Sequence, residues 1–255
     1  WTYWPAPDSG AFPVLPGIGV ALELGVDSVS LLLVLLNVFL MPCCVLGSWS
    51  AIQERRREFY IWLMVLSTCV MGVFVARDVI SFYTFFEASL VPGFFMLAIY
   101  GGPDRREASF KFFIYTFVGS LFMLLGLAYV AWQHAEQTGD WSFAIKDLTA
   151  FAPSLSAEEQ GWILLALLAG LAVKVPLFPL HTWLPLAHNQ APTAGSVNFA
   201  AVILKLGAYG IFRFVIPMLP EAVVEYAPFI GLLAVIGIIY TSLVCWAQTD
   251  MKKLI

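Results

Sequence analysis

Apolar runs about twenty residues long recur along this chain, each long enough to cross a hydrocarbon layer of about 30 Å as a helix. Backbone polar groups in lipid must be satisfied within a helix or around a closed barrel. The runs are continuous rather than alternating, which excludes barrel strands. Composition agrees: 60% of the 255 residues are hydrophobic, 12% are charged, and mean hydropathy is +0.85. A soluble domain carries about 25% charged residues. The expected fold is therefore an all-α, polytopic transmembrane helix bundle.

Seven membrane segments are predicted, at 27–50, 59–76, 79–100, 111–132, 161–182, 195–216 and 228–247. Residues 1–26 are rich in Pro and Gly, carry no Lys or Arg, and read as an external loop. The connection 133–160 is acidic, and a short surface helix is expected there, starting near Ser156 with Glu159 in capping-box spacing. Basic residues cluster at Arg55–Arg57, Arg105–Lys111 and Lys252–Lys253. By the preference of cytoplasmic loops for Lys and Arg, these mark the cytoplasmic side, with Arg77 as a mild exception. The chain reads as a fragment of a longer membrane protein.

Several functions are excluded. No basic patch offers a surface for nucleic acid. Cys43, Cys44, Cys69 and Cys245 fall inside apolar runs and read as packing residues. There is no CxxC pair, so neither a zinc site nor an iron–sulfur cluster is supported. The expected surroundings are the lipid bilayer.

Ionisable residues at membrane depth are costly and mark function by default. Glu87 lies about nine residues into its segment, about 13 Å deep at 1.5 Å per residue. Tyr83 precedes it by one turn, on the same face. Pro92 frees the Ala88 carbonyl from its helical bond. Lys174 ends an apolar run, and Pro176 and Pro179 break the helix just beyond it, freeing the carbonyls of Ala172 and Val175. Broken helices at membrane depth are tolerated beside protein or a water-filled cavity and mark ion sites in transporters. Lys174 is thus the expected charge partner of Glu87. Lys205 sits in the middle of another apolar run, with Asn198 and Tyr209 expected on its face.

Burial disfavours an ammonium and a nearby carboxylate favours it, so a small rearrangement switches a buried lysine between holding and releasing a proton. The competing readings are a protonated Glu87 bonded to backbone, a Lys174 that snorkels to the interface, and a Lys205 held in a fixed ion pair. His181 and His188 flank the Trp183–Leu184–Pro185 turn and are candidate proton relays. Both lie in one irregular stretch, which disfavours haem or metal ligation. His134 reads as interfacial. Lys111 reads as a topology anchor, and Gly119 and Ser120 as small residues that let helices approach closely.

At this point several long motifs align. FYTFFEASLVP (82–92), KFFIYTFVGSLFMLLG (111–126), the stretch 171–214 and DMKKLI (250–255), with GVDSVSL (25–31), resemble the antiporter-like membrane subunits, chain M or subunit-4 type, of respiratory complex I, the proton-translocating NADH–quinone oxidoreductase. The resemblance implies a bundle with inverted five-helix repeats, the first spanning about 59–216, and a broken helix near Lys174–Pro176. It implies that Glu87 and Lys174 match the family's paired residues and Lys205 the lysine on the central axis. It implies no redox centre in this chain, with NADH, FMN, iron–sulfur clusters and quinone in partner subunits.

It further implies proton translocation as one subunit of a hetero-oligomeric enzyme, in a bacterial inner (plasma) membrane. Two departures stand out: Leu186 where relatives often carry aspartate, and Ala88–Ser89 where bulkier apolar residues are common. The alternative is a subunit of a multi-component sodium/proton antiporter or of a membrane-bound hydrogenase. A cytochrome subunit using His181 and His188, and a plain scaffold, are the remaining readings.

Overall fold

The computed structural model describes residues 12–15 and 20–254. Much of the stretch read as an external loop, at 1–11 and 16–19, therefore lies outside the described residues. Two short strands, β1 (Phe12–Leu15) and β2 (Val20–Leu22), pair antiparallel. Everything else of regular structure is helical, as the continuous apolar runs require.

Helix α1 (Ser28–Ser48) starts at Asp27, whose carboxylate accepts from the N–H groups of Val29 and Ser30 while the Ser30 hydroxyl accepts from the Asp27 N–H. That reciprocal cap satisfies donors that helix geometry leaves open. Helix α2 (Arg56–Val75) runs back. Asp78 then caps α3 (Val79–Ala88), accepting from Ser81 at 2.7 Å. The chain turns at Ser89 and continues as α4 (Leu90–Tyr100), because Pro92 lacks the N–H that would bond Ala88.

Helix α5 (Arg105–Thr138) has 34 residues, about 51 Å at 1.5 Å per residue, and so projects beyond a hydrocarbon layer of about 30 Å. The short helix α6 (Ile145–Phe151) occupies the acidic connection. The capping box at Ser156 and Glu159 forms, but it opens α7 (Ala157–Lys174) itself rather than a separate surface helix. Ser156 also bonds the carboxylate, which Tyr129 reaches at 2.9 Å; these bonds hold the Glu159 carboxyl below the usual carboxylate range.

Beyond the break lie α8 (Trp183–Gln190), α9 (Thr193–Met218), α10 (Pro220–Trp246) and α11 (Met251–Leu254). Among the described residues six helices, α3 and α4 taken as one, are long and apolar enough to cross a membrane. Helix α7, with 18 residues, is set apart by its charge, with Glu158 and Glu159 in its first turn and Lys174 at the end where Pro176 stops it.

Helix α7 sits between α5 and α9, drawn close by glycines. A Cβ on Gly119 would stand 2.6 Å from the Ala169 carbonyl oxygen, and one on Gly207 would stand 2.8 Å from that of Leu171. Small residues allow this close backbone approach, as the sequence implies for Gly119. The end of α7 is thereby fixed against both neighbours. Helix α10 is different: only Ala222 on it is buried.

Candidate functional site

The break after Lys174 is closed by hydrogen bonds rather than left open. The Ala172 carbonyl, freed by Pro176, accepts from the Leu177 N–H at 2.8 Å. The Val173 carbonyl accepts from the indole N–H of the fully buried Trp183 at 2.9 Å. This accounting follows from the high cost of unpaired backbone groups in an apolar interior.

Lys174 is the last residue of α7 and is 1% exposed, which rules out the snorkelling alternative. Its position suits a cation, because helix C-termini carry partial negative charge. Its Nζ lies 3.4 Å from the Ser89 hydroxyl oxygen and 4.5 Å from the centre of the Phe86 ring. No carboxylate lies within 4.0 Å of it among the described residues.

Glu87 is half-buried, and its Oε1 is buried without a hydrogen-bond partner. Tyr83 and Glu87 both approach the fully buried Ser120 on α5, and the Glu87 and Lys174 charges act on each other across the gap. The expected Glu87–Lys174 contact is therefore a neighbourhood and not a bonded pair in this arrangement. Helix geometry gives the reason. At about 100° per residue, Phe86 and Ser89 share a face while Glu87 is turned about 160° from Ser89. The face with Phe86 and Ser89 meets α7, and Glu87 meets α5.

Lys205, expected inside the chain, is exposed, and its Nζ donates to the Ala200 carbonyl at 2.7 Å. Asn198 and Tyr209 are buried, so the expected polar stripe does not form. Helix α9 carries wide π turns at Phe199–Ile203 and Ile211–Val215. The first lies between Asn198 and Lys205 and shifts the register that plain helical spacing assumes.

The turn expected at Trp183–Leu184–Pro185 is instead the first turn of α8, so His181 precedes that helix and His188 lies within it. His181 lies between the rings of Phe178 and Tyr240, and its Nδ1 is buried without a partner. His188 stands against Phe199 with its Nε2 buried and unpartnered. Burial, then the nearby Lys252 ammonium, holds its imidazole below the usual histidine range. No hydrogen bond joins either ring to Lys174 or Lys205 among the described residues. Nor do three His, Cys, Asp or Glu side chains come together there as a metal-ligand set.

Sequence reasoning missed two features. Ser89 and Phe86, the groups that hold Lys174, were visible as an i, i+3 pair beside Glu87. The other is an ion pair between Arg213 and Asp27, 2.9 Å apart with side chains 16% and 3% exposed. Alternating helix directions bring the start of α1 and the last turns of α9 to one end, which was the signal available.

A family described as "NADH:quinone oxidoreductase/Mrp antiporter, TM" matches residues 76–255. The chain belongs to this family. Subunit M of NADH-quinone oxidoreductase from Rhodobacter capsulatus is 46% identical over 245 residues, 93% of this chain and 47% of that protein. Subunit M of the F(420)H(2) dehydrogenase from Methanosarcina mazei is 42% identical over 247 residues, 94% of this chain and 49% of that protein. A chain of respiratory complex I from Thermus thermophilus with bound NADH superposes with a TM-score of 0.82 at 34% identity, over 96% of this chain and 50% of its own length. The chain thus spans about half the length of the curated relatives it matches. The fold shared with that family is a multi-pass, antiporter-like helix bundle, and in this chain α7 ends at a buried lysine.

Proposed function

We propose that this chain is part of the proton-translocating membrane subunit of an NADH–quinone oxidoreductase of complex I type. One observation carries the reading: a fully buried lysine at the end of a broken helix, near a half-buried glutamate whose Oε1 is buried without a partner. A scaffold has no need of buried charges, each of which costs several kcal/mol. In the mechanism, Glu87 closing onto Lys174 keeps the lysine protonated. Separation weakens the lysine's hold on its proton, which then leaves through water or His181 toward Lys205. Lys205, facing away from α7, passes it to the rest of the longer protein. Electron transfer in partner subunits, which hold NADH, FMN, iron–sulfur clusters and quinone, biases the opening. The work is of a feasible size, since one charge crossing 100 mV takes about 2.3 kcal/mol.

The orientation proposed from Lys and Arg places 1–26 outside and the basic connections in the cytoplasm of a bacterium, in its inner membrane. Other membrane subunits and lipid surround the chain.

In inverted membrane vesicles carrying the full-length subunit, Glu87→Gln should lower NADH-driven proton uptake about tenfold, while Glu87→Asp keeps part of it. Uptake equal to wild type in the Gln variant would sink the proposal. Lys205→Ala should slow NADH oxidation about fivefold or more along with uptake, because a blocked proton path stalls coupled electron transfer. Unchanged pumping there would make Lys205 structural.

The second reading is a subunit of a multi-component sodium/proton antiporter or membrane-bound hydrogenase; the family description names an antiporter beside the oxidoreductase. Sodium-dependent exchange that persists without an electron donor would decide for the antiporter.

A further inference from the structure

Ser89 is 1% exposed, and although it is the N-cap residue of α4 its hydroxyl makes no capping bond to that helix. Its hydroxyl hydrogen is committed to the Phe86 carbonyl, with Oγ and O only 2.6 Å apart. Toward Lys174 it therefore presents only lone pairs, as an acceptor 3.4 Å from Nζ. The Phe86 ring lies on the same ammonium at 4.5 Å. Both contacts select a charged amine: an oriented hydroxyl oxygen and an aromatic face each attract a cation more than a neutral group. Glu87, the carboxylate among the described residues whose charge acts on Lys174, is outside bonding distance and leaves Oε1 unpartnered.

We propose that Ser89 and the Phe86 ring form a second station for the Lys174 ammonium, which competes with Glu87 and makes Ser89 a positioning residue for the opening and closing of the pair. The proposal rests on the reading of Glu87 and Lys174 given above. A hydroxyl held by its own helix at Phe86 stays in place while the long lysine side chain moves. The station keeps the ammonium charged after it leaves Glu87, so that separation does not at once discharge it into the core. Removing the hydroxyl biases the ammonium toward Glu87 and slows opening.

The test uses the full-length subunit in its assembled complex, with wild type, Ser89→Ala and Ser89→Thr compared. A cryo-EM structure of Ser89→Ala should place Lys174 Nζ about 3 Å from a Glu87 oxygen, the spacing of a charge-assisted bond. Electron-donor-driven proton uptake should fall about fivefold, equivalent to about 1 kcal/mol. Ser89→Thr keeps the hydroxyl and should return Lys174 to the station and uptake toward wild type. A purely structural serine predicts no movement of Lys174, and that result in Ser89→Ala overturns the proposal. So does movement of Lys174 with uptake unchanged. These failures differ from failure of the functional reading, in which Glu87→Gln and Lys174→Ala pump normally whatever Ser89 does.

Discussion

Lys174→Ala in the full-length subunit should lower NADH-driven proton uptake in inverted vesicles about a hundredfold, the low end of what a positioned proton-transfer group contributes. NADH oxidation should fall with it. Lys174 is the one ammonium that is 1% exposed in the bundle, and it sits where α7 ends between α5 and α9. Alanine removes the proton carrier and leaves the closing bonds of the break intact, since these run from Leu177 and Trp183 to backbone carbonyls. The variant should therefore assemble, and a western blot of the membranes checks that it does. Oxidation that continues at the wild-type rate while sodium-dependent exchange disappears decides for the antiporter reading.

The second large effect is on the fold. Gly207→Ala should destabilise the subunit by about 3 kcal/mol, the upper part of the range for overpacked cores. Its Cβ would meet the Leu171 carbonyl oxygen at 2.8 Å and the Val175 backbone nitrogen at 2.9 Å. Neither is the end of a flexible side chain, and both belong to the turn that carries Lys174. Alanine ordinarily stabilises a helix over glycine by about 1 kcal/mol, so the clash has to exceed that gain. Gly126→Ala is the comparison. There the nearest atom is the Ala166 Cβ at 3.1 Å, and a shift of a few tenths of an ångström relieves it. Thermal unfolding in detergent should separate the two variants clearly. Equal midpoints would mean that α7 and α9 part easily, and the rigid seat for Lys174 would be lost as an explanation.

Much of the site was legible because it depends on residue type at a given depth. A glutamate and a lysine in apolar runs, and prolines two and five residues past the lysine, are properties of the chain alone. The capping box at Ser156 was legible too, since it is local in sequence, although which helix it opens was not. The register of Lys205 was not legible. It turns on the π turn at Phe199–Ile203, and side-chain periodicity assumes 3.6 residues per turn. The Arg213–Asp27 pair joins positions far apart along the chain, so no local pattern announces it.

The sequence by itself determined that the chain is a bundle of membrane helices, that α7 stops after Lys174, and that a carboxylate and two lysines interrupt apolar runs. These follow from hydrophobicity, proline chemistry and the cost of charge in lipid, which are local quantities. Only the tertiary structure decided what each charge meets. Which face of α3 turns to α7 depends on how glycines and bulky rings let three helices approach, and that is settled by packing among all of them at once. That packing gave Lys174 to Ser89 and Phe86, and Glu87 to the Ser120 side of α5.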